Sequence, residues 1–63
     1  MASDLLSVAE SAAYLNLTER WVRRAIFENR LPYVKLGALV RLERSALDEL
    51  IERGRQPASF EHA

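Results

Sequence analysis

Three arginines in five positions, Arg20, Arg23 and Arg24, are the side chains best equipped to recognise a partner. A guanidinium is planar, permanently charged and carries a fork of donors that matches phosphate oxygens and base edges. They lie in Thr18–Asn29, T-E-R-W-V-R-R-A-I-F-E-N. On a 3.6-residue wheel Val22, Ala25 and Ile26 share one face, with Leu17 just before the first turn. Arg20, Arg23, Arg24 and Phe27 fall on the other side, and Trp21 sits on the shoulder. Thr18 is placed to cap the first turn, and Asn29 tolerates the left-handed conformation that stops a helix. Such a helix suits a DNA groove; it equally suits a solvated surface or a protein contact.

Other chemistries lack their residues. The chain has one histidine, His62, and no cysteine, so no Ser/His/Asp or Cys/His set and no Cys-based zinc site is expected. Gly37 and Gly54 are the only glycines, too few for a phosphate-cradling loop. Neither catalysis nor a cofactor, metal or small-molecule substrate is expected.

The net charge is zero, yet the charge is unevenly spread. Residues 1–17 carry Asp4 and Glu10 and no cation. Residues 18–41 carry Arg20, Arg23, Arg24, Arg30, Lys35 and Arg41 against Glu19 and Glu28. Residues 42–63 carry Arg44, Arg53 and Arg55 against Glu43, Asp48, Glu49, Glu52 and Glu61. A basic middle between two acidic ends is the electrostatic footprint of a phosphate-binding surface. Sixty-three residues make one small domain, near the lower limit for a chain without a covalent staple. No apolar run reaches the ~20 residues of a membrane helix, and M-A-S-D does not begin like a signal peptide. An intracellular, soluble protein is expected.

The elements that must hold the arginines out follow from local pattern. Ser7-Val-Ala-Glu10 has the S-x-x-E spacing of a capping box, which begins a helix. Val8, Ala12 and Leu15 form its stripe, with the small Ala9 and Ala13 beside it, and Asn16-Leu17 turns into the Thr18 cap. Two short helices joined by about three residues, the second bearing arginines, form a helix-turn-helix pattern; a helical hairpin in an interaction domain has the same signature. After Leu31-Pro32 the period changes to alternation over Tyr33–Leu36 and Val40–Leu42. A three-residue loop, Gly37–Leu39, would pair Leu36 with Val40, Lys35 with Arg41 and Val34 with Leu42, keeping both apolar sets on one face. It also sets two cations opposite each other, which suits an anionic partner or simple extension into water. A last helix runs from about Arg44-Ser45 to Arg53, burying Leu47, Leu50 and Ile51. Asp48, Glu49 and Glu52 face outward, and Gly54 serves as its stop. Residues 1–54 are thus expected to form the domain, and 55–63 a flexible tail with Phe60 as its one large apolar residue.

Helix, turn, helix, β-hairpin, helix is the order of a small winged helix-turn-helix domain, mainly α with a two-stranded wing. The run L-L-S-V-A-E-S-A-A-Y-L-N-L-T-E-R-W-V-R-R-A-I-F-E-N-R-L-P, continued by Val34-Lys-Leu-Gly37 and Arg44-Ser-Ala-Leu47, resembles the MerR-like winged helix-turn-helix domains of phage excisionases. The resemblance covers about residues 5–53. Two departures stand out: Asn16 and Asn29 occupy positions where the family often has glycine, and Gly37–Leu39 lacks the wing-tip arginines that favour a minor-groove contact.

The resemblance implies an excisionase, or recombination directionality factor. Such a protein binds attachment-site DNA beside a phage integrase, bends it and favours excision, without catalytic residues of its own. Carried over by position, it implies groove-facing roles for Arg20, Arg23, Arg24 and Phe27, with Trp21 alongside. Arg20 and Arg24 would meet base edges and Arg23 phosphate, while Trp21 either seals the two helices or packs along the backbone. Lys35 and Arg41 would approach phosphates from the wing, and Thr18 with the free amides of its turn would hold another. The implied partners are double-stranded DNA, further copies along it and an integrase, in the cytoplasm of a host bacterial cell. A monomeric phage repressor and a protein-interaction module anchored by Trp21, Phe27 and Phe60 are the alternatives. The long dimerising helix of MerR-type activators is not expected, since the chain ends about ten residues past Arg53.

Overall fold

A computed structural model describes residues 4–57 of the chain. The order is β1 (Leu5–Leu6), α1 (Val8–Leu15), α2 (Glu19–Phe27), β2 (Val34–Leu36), β3 (Leu39–Glu43) and α3 (Arg44–Gly54). Three helices and a small antiparallel sheet of order β1-β3-β2 make a winged helix-turn-helix. The sheet has one strand more than the hairpin expected from sequence. Leu5 pairs with Glu43 and Leu6 with Leu42, so the segment before α1 covers the edge of β3 that the hairpin leaves open. The stretch from Ala58, with Phe60 and His62, lies outside the described residues.

Local hydrogen bonds explain where the first two helices begin and end. Ser7 and Glu10 make the reciprocal capping box: the Glu10 amide donates to Ser7 Oγ at 3.0 Å and the Ser7 amide to Glu10 Oε1 at 2.9 Å. The Trp21 amide donates to Thr18 Oγ1 at 3.1 Å, which starts α2. Both helices stop on a left-handed asparagine, Asn16 at φ 59° and Asn29 at φ 60°. In each case the next amide reaches back to close the last turn, Leu17 to the Ala12 carbonyl and Arg30 to the Ala25 carbonyl, both at 2.8 Å. The asparagine amides bond to Ala13 and Ile26, completing two Schellman closures. Asparagine here adopts the left-handed conformation that glycine most often supplies past a helix end.

The core is small and drawn from the three helices, β3 and the segment after α2. Val22, Leu42 and Leu47 have no solvent exposure, and Ala25 and Leu31 are 1 % exposed; Val8 and Ala12 complete the cluster. Leu31, read from sequence only as the end of a helix, plugs the core just after the second closure. Ala9 and Ala13 are exposed; the small residues buried on α1 are Ala12 and Ser11, the latter fully enclosed with its Oγ unpartnered. In α3 the buried stripe is narrower than expected: Leu47 is enclosed and Leu50 half-buried, while Ile51 is exposed. Gly54 belongs to the helix itself, and its φ is not left-handed. Asp48, expected on the solvent face, accepts a hydrogen bond from the Tyr14 hydroxyl and so ties α3 to α1. That bond, with lesser help from partial burial and the Asp48 charge, raises the Tyr14 pKa above 10.0.

The hairpin register differs from the sequence expectation. Val34 faces Arg41, Lys35 faces Val40 and Leu36 faces Leu39, so the loop is Gly37-Ala38 and not Gly37–Leu39. The reason is the turn: Gly37 has φ +64° and Ala38 is not left-handed, the pattern of a II′ turn whose twist matches the strands. Val40 and Leu42 still point inward, because a strand alternates whatever its partner does. The shift moves Val34 and Leu36 to the outer face, where Leu36 and Leu39 are half exposed. It also relieves the direct opposition of Lys35 and Arg41.

The two left-handed asparagines lead to a stability test. Asn16→Ala or Asn29→Ala should each cost roughly 1 kcal/mol, a drop of about 4–8 °C in Tm for a domain of this size, whereas glycine at either position should be neutral or better. Thermal unfolding followed by circular dichroism checks this, and an unchanged alanine variant would remove the closures from the account.

Candidate nucleic-acid interface

Burial of Val22 and Ala25 sets the rotation of α2, and the remaining faces follow from it. Arg20, Arg23, Arg24 and Phe27 are all exposed, and Phe27 is 86 % exposed. Together with Glu28 these four line one open hollow on the outer side of the helix. The structure thus brings the four expected groove-facing residues onto one surface.

The ion pairs divide the cations into two groups. Arg23 bonds Glu19 at 3.4 Å, Arg30 bonds Glu28 at 3.1 Å and Arg44 bonds Asp4 at 3.0 Å. Arg53 lies 3.9 Å from Glu49, and Arg55 bonds Glu52 at 2.8 Å. Arg20, Arg24, Lys35 and Arg41 have no carboxylate partner among the described residues. All five pairs are exposed, so each is a weak tie that a phosphate could replace. Two of the four unpaired cations are one turn apart on α2, and two are on the hairpin.

Arg20 and Arg24 are exposed on the outer face and pair with no carboxylate among the described residues. Arg23 is held beside Glu19, whose carboxylate also occupies the first turn of α2. That carboxylate favours the helix dipole but opposes a phosphate near Thr18, whose hydroxyl oxygen already serves as the cap. Trp21 is half-buried against the core cluster, with the Arg30 guanidinium 5.5 Å from its ring centroid, a cation–π contact. Its edge borders a shallow hollow with Thr18, Arg20 and Arg24, so its body is structural while its rim reaches the arginine surface.

On the hairpin, directly opposed residues share a face, so Lys35 leaves on the side of Val40 and Arg41 on the side of Val34. The expectation that the two cations form an opposed pair is therefore corrected. Arg41 is half-buried and donates to the Val40 carbonyl at 2.8 Å. Lys35 is exposed. A second hollow, about 420 Å³, separates α2 from the hairpin and is walled by Val8, Ile26, Phe27, Tyr33 and Val40, with Arg23 and Asn29 at its margin. Sequence reasoning missed Tyr33 here; the sequence shows only that it follows Pro32 at the start of the alternating run, and the hollow is set by the fold.

Among the described residues no group of three or more His, Cys, Asp or Glu side chains is placed to hold a metal ion, and no helix is long and apolar enough to cross a membrane.

The different surroundings of these side chains separate in a denaturation experiment. Arg20→Ala and Arg24→Ala should leave stability within about 0.5 kcal/mol of wild type, as expected for exposed residues without partners. Trp21→Ala should cost about 2 kcal/mol or more, since it strips buried aromatic area from a small core. Urea titration of the three variants measures both, and a large loss for either arginine would place it in the scaffold.

A family model described as a helix-turn-helix domain matches residues 5–55, nearly the whole described region. No curated protein and no solved structure matches the chain. Domains of this kind point to DNA as the partner and are typically non-enzymatic, and the family contains excisionase-like DNA-binding proteins. A capped helical pair, a compact hairpin and an outward arginine face agree with that match, and the chain belongs to the helix-turn-helix domain family.

Proposed function

We propose that this protein is an excisionase: an architectural DNA-binding protein that occupies attachment-site DNA cooperatively, bends it and directs a phage integrase toward excision. The observation that carries the DNA reading is the pair Arg20 and Arg24, one turn apart, exposed and without carboxylate partners among the described residues, on the face opposite Val22 and Ala25. The excisionase role rests on the resemblance over residues 5–53 and on a family that contains excisionase-like proteins.

In this reading α2 enters the major groove. Arg20 and Arg24 each offer a guanidinium fork to guanine O6 and N7. Arg23 exchanges its exposed pair with Glu19 for a phosphate, and Lys35 and Arg41 reach the backbone from either side of the hairpin. Thr18 adds a hydroxyl donor at the start of α2, and Trp21 holds the helix against the scaffold. One such module covers only ~600–1,000 Å², too little for tight specific binding alone. Several copies on directly repeated sites solve this, with the acidic outer face of α3 on one protomer turned toward the basic side of the next. Its place of work is the cytoplasm of a host bacterial cell.

Two measurements test the proposal. Gel-shift titration across salt concentrations should give a slope of about −3.6 in log K against log salt if about four phosphates are neutralised, with repeated, regularly spaced sites in footprints. No salt-dependent binding would indicate a protein-interaction module, and a lone operator at full affinity a repressor. Arg24→Ala should relax preference at one base position at a cost of ~1–3 kcal/mol, whereas a uniform loss on all sequences would move Arg24 to a phosphate.

A further inference from the structure

Phe27 is the most exposed large hydrophobic side chain among the described residues. Its position is not arbitrary. Arg20, Arg24 and Phe27 follow at i, i+4 and i+7, so the ring continues the stripe of the two arginines that have no carboxylate partner among the described residues. Phe27 also divides two hollows, the cationic one lined by Arg20, Arg23 and Arg24, and the apolar one lined by Ile26, Tyr33 and Val40. A surface entering DNA along this stripe would present two forks and then an apolar ring with no hydrogen-bonding group.

The major-groove edge of DNA offers one apolar group, the C5-methyl of thymine. We propose that Phe27 is a specificity-determining residue that packs against a thymine methyl beside the guanine met by Arg24. The inference rests on the reading of α2 as the helix that enters DNA. Its spacing follows from helix geometry. Arg24 lies about 6 Å along the axis from Arg20, and Phe27 about 4.5 Å beyond Arg24. Base pairs repeat every 3.4 Å or so, which places the thymine about one to two steps from the Arg24 guanine. A protein partner is the weaker occupant, because the ring is flanked on its own stripe by cations that would have to be desolvated with it.

Deoxyuridine pairs as thymine does but lacks the methyl, so it isolates this contact. With duplexes carrying a site selected from random DNA, each thymine is replaced in turn by deoxyuridine, and affinity is measured for wild type, Phe27→Ala and Phe27→Leu. One position should lose about four-fold for wild type, the effect of one buried methyl. Phe27→Ala should bind thymine and deoxyuridine equally there, and Phe27→Leu should retain part of the difference. Because the side chain is exposed, both variants should melt with the wild type. Salt-dependent binding that tolerates deoxyuridine everywhere, or discrimination that survives Phe27→Ala, overturns the proposal and leaves the DNA reading standing. So does a selected site with no thymine within two steps of a guanine. Absence of salt-dependent binding on every sequence overturns the DNA reading itself.

Discussion

The enclosure of Val22 and Ala25 is the constraint on which the rest of the molecule depends. A helix residue turns about 100° from its neighbour, so a slip of one position would drive an arginine into the core and lift a valine into water. In a chain of 63 residues no surplus of stability could absorb that, since total stability is about 0.05–0.15 kcal/mol per residue. Leu42 from the sheet and Leu47 from α3 meet the same cluster and fix α2 from below. The outward presentation of Arg20, Arg24 and Phe27 is the other side of this packing: the scaffold rotates them outward by what it must hide.

Charge is arranged with comparable economy. A neutral total hides the fact that four of the nine carboxylates, Glu19, Glu28, Glu49 and Glu52, pair with an arginine two to four positions away. Short-range pairing engages Arg23, Arg30, Arg53 and Arg55, while Arg20 and Arg24 on α2 and Lys35 and Arg41 on the hairpin have no carboxylate partner among the described residues. The surface potential is therefore set by which cations lack a neighbour of opposite sign, more than by composition.

Features decided within a few residues were legible in the sequence: the Ser7–Glu10 box, the Thr18 cap, the two asparagine stops and the arginine face of α2. Those that depend on a distant partner were not. Leu5-Leu6 is too short to show a period, and it is a strand only because β3 lies beside it. The hairpin register rested on keeping apolar residues together, a preference that the backbone of Gly37 outweighed by fixing a tighter turn. The Tyr14–Asp48 bond spans helices far apart in the chain, and nothing local announces it. In the hollow beside the arginine surface, Tyr33 escaped notice because its role depends on where the fold sets the start of the hairpin relative to α2.

The third strand has a consequence for how the molecule behaves when crowded. β1 covers β3 at Leu42 and Glu43, β2 covers it from Leu39 to Arg41, and β2 is the longer of the two outer strands. β2 is only three residues, has Lys35 at its centre and follows Pro32 closely. A short, charged, proline-preceded edge is a poor template for strand addition by another chain. Copies gathered at high local density therefore meet a β2 edge that offers little purchase for cross-β pairing.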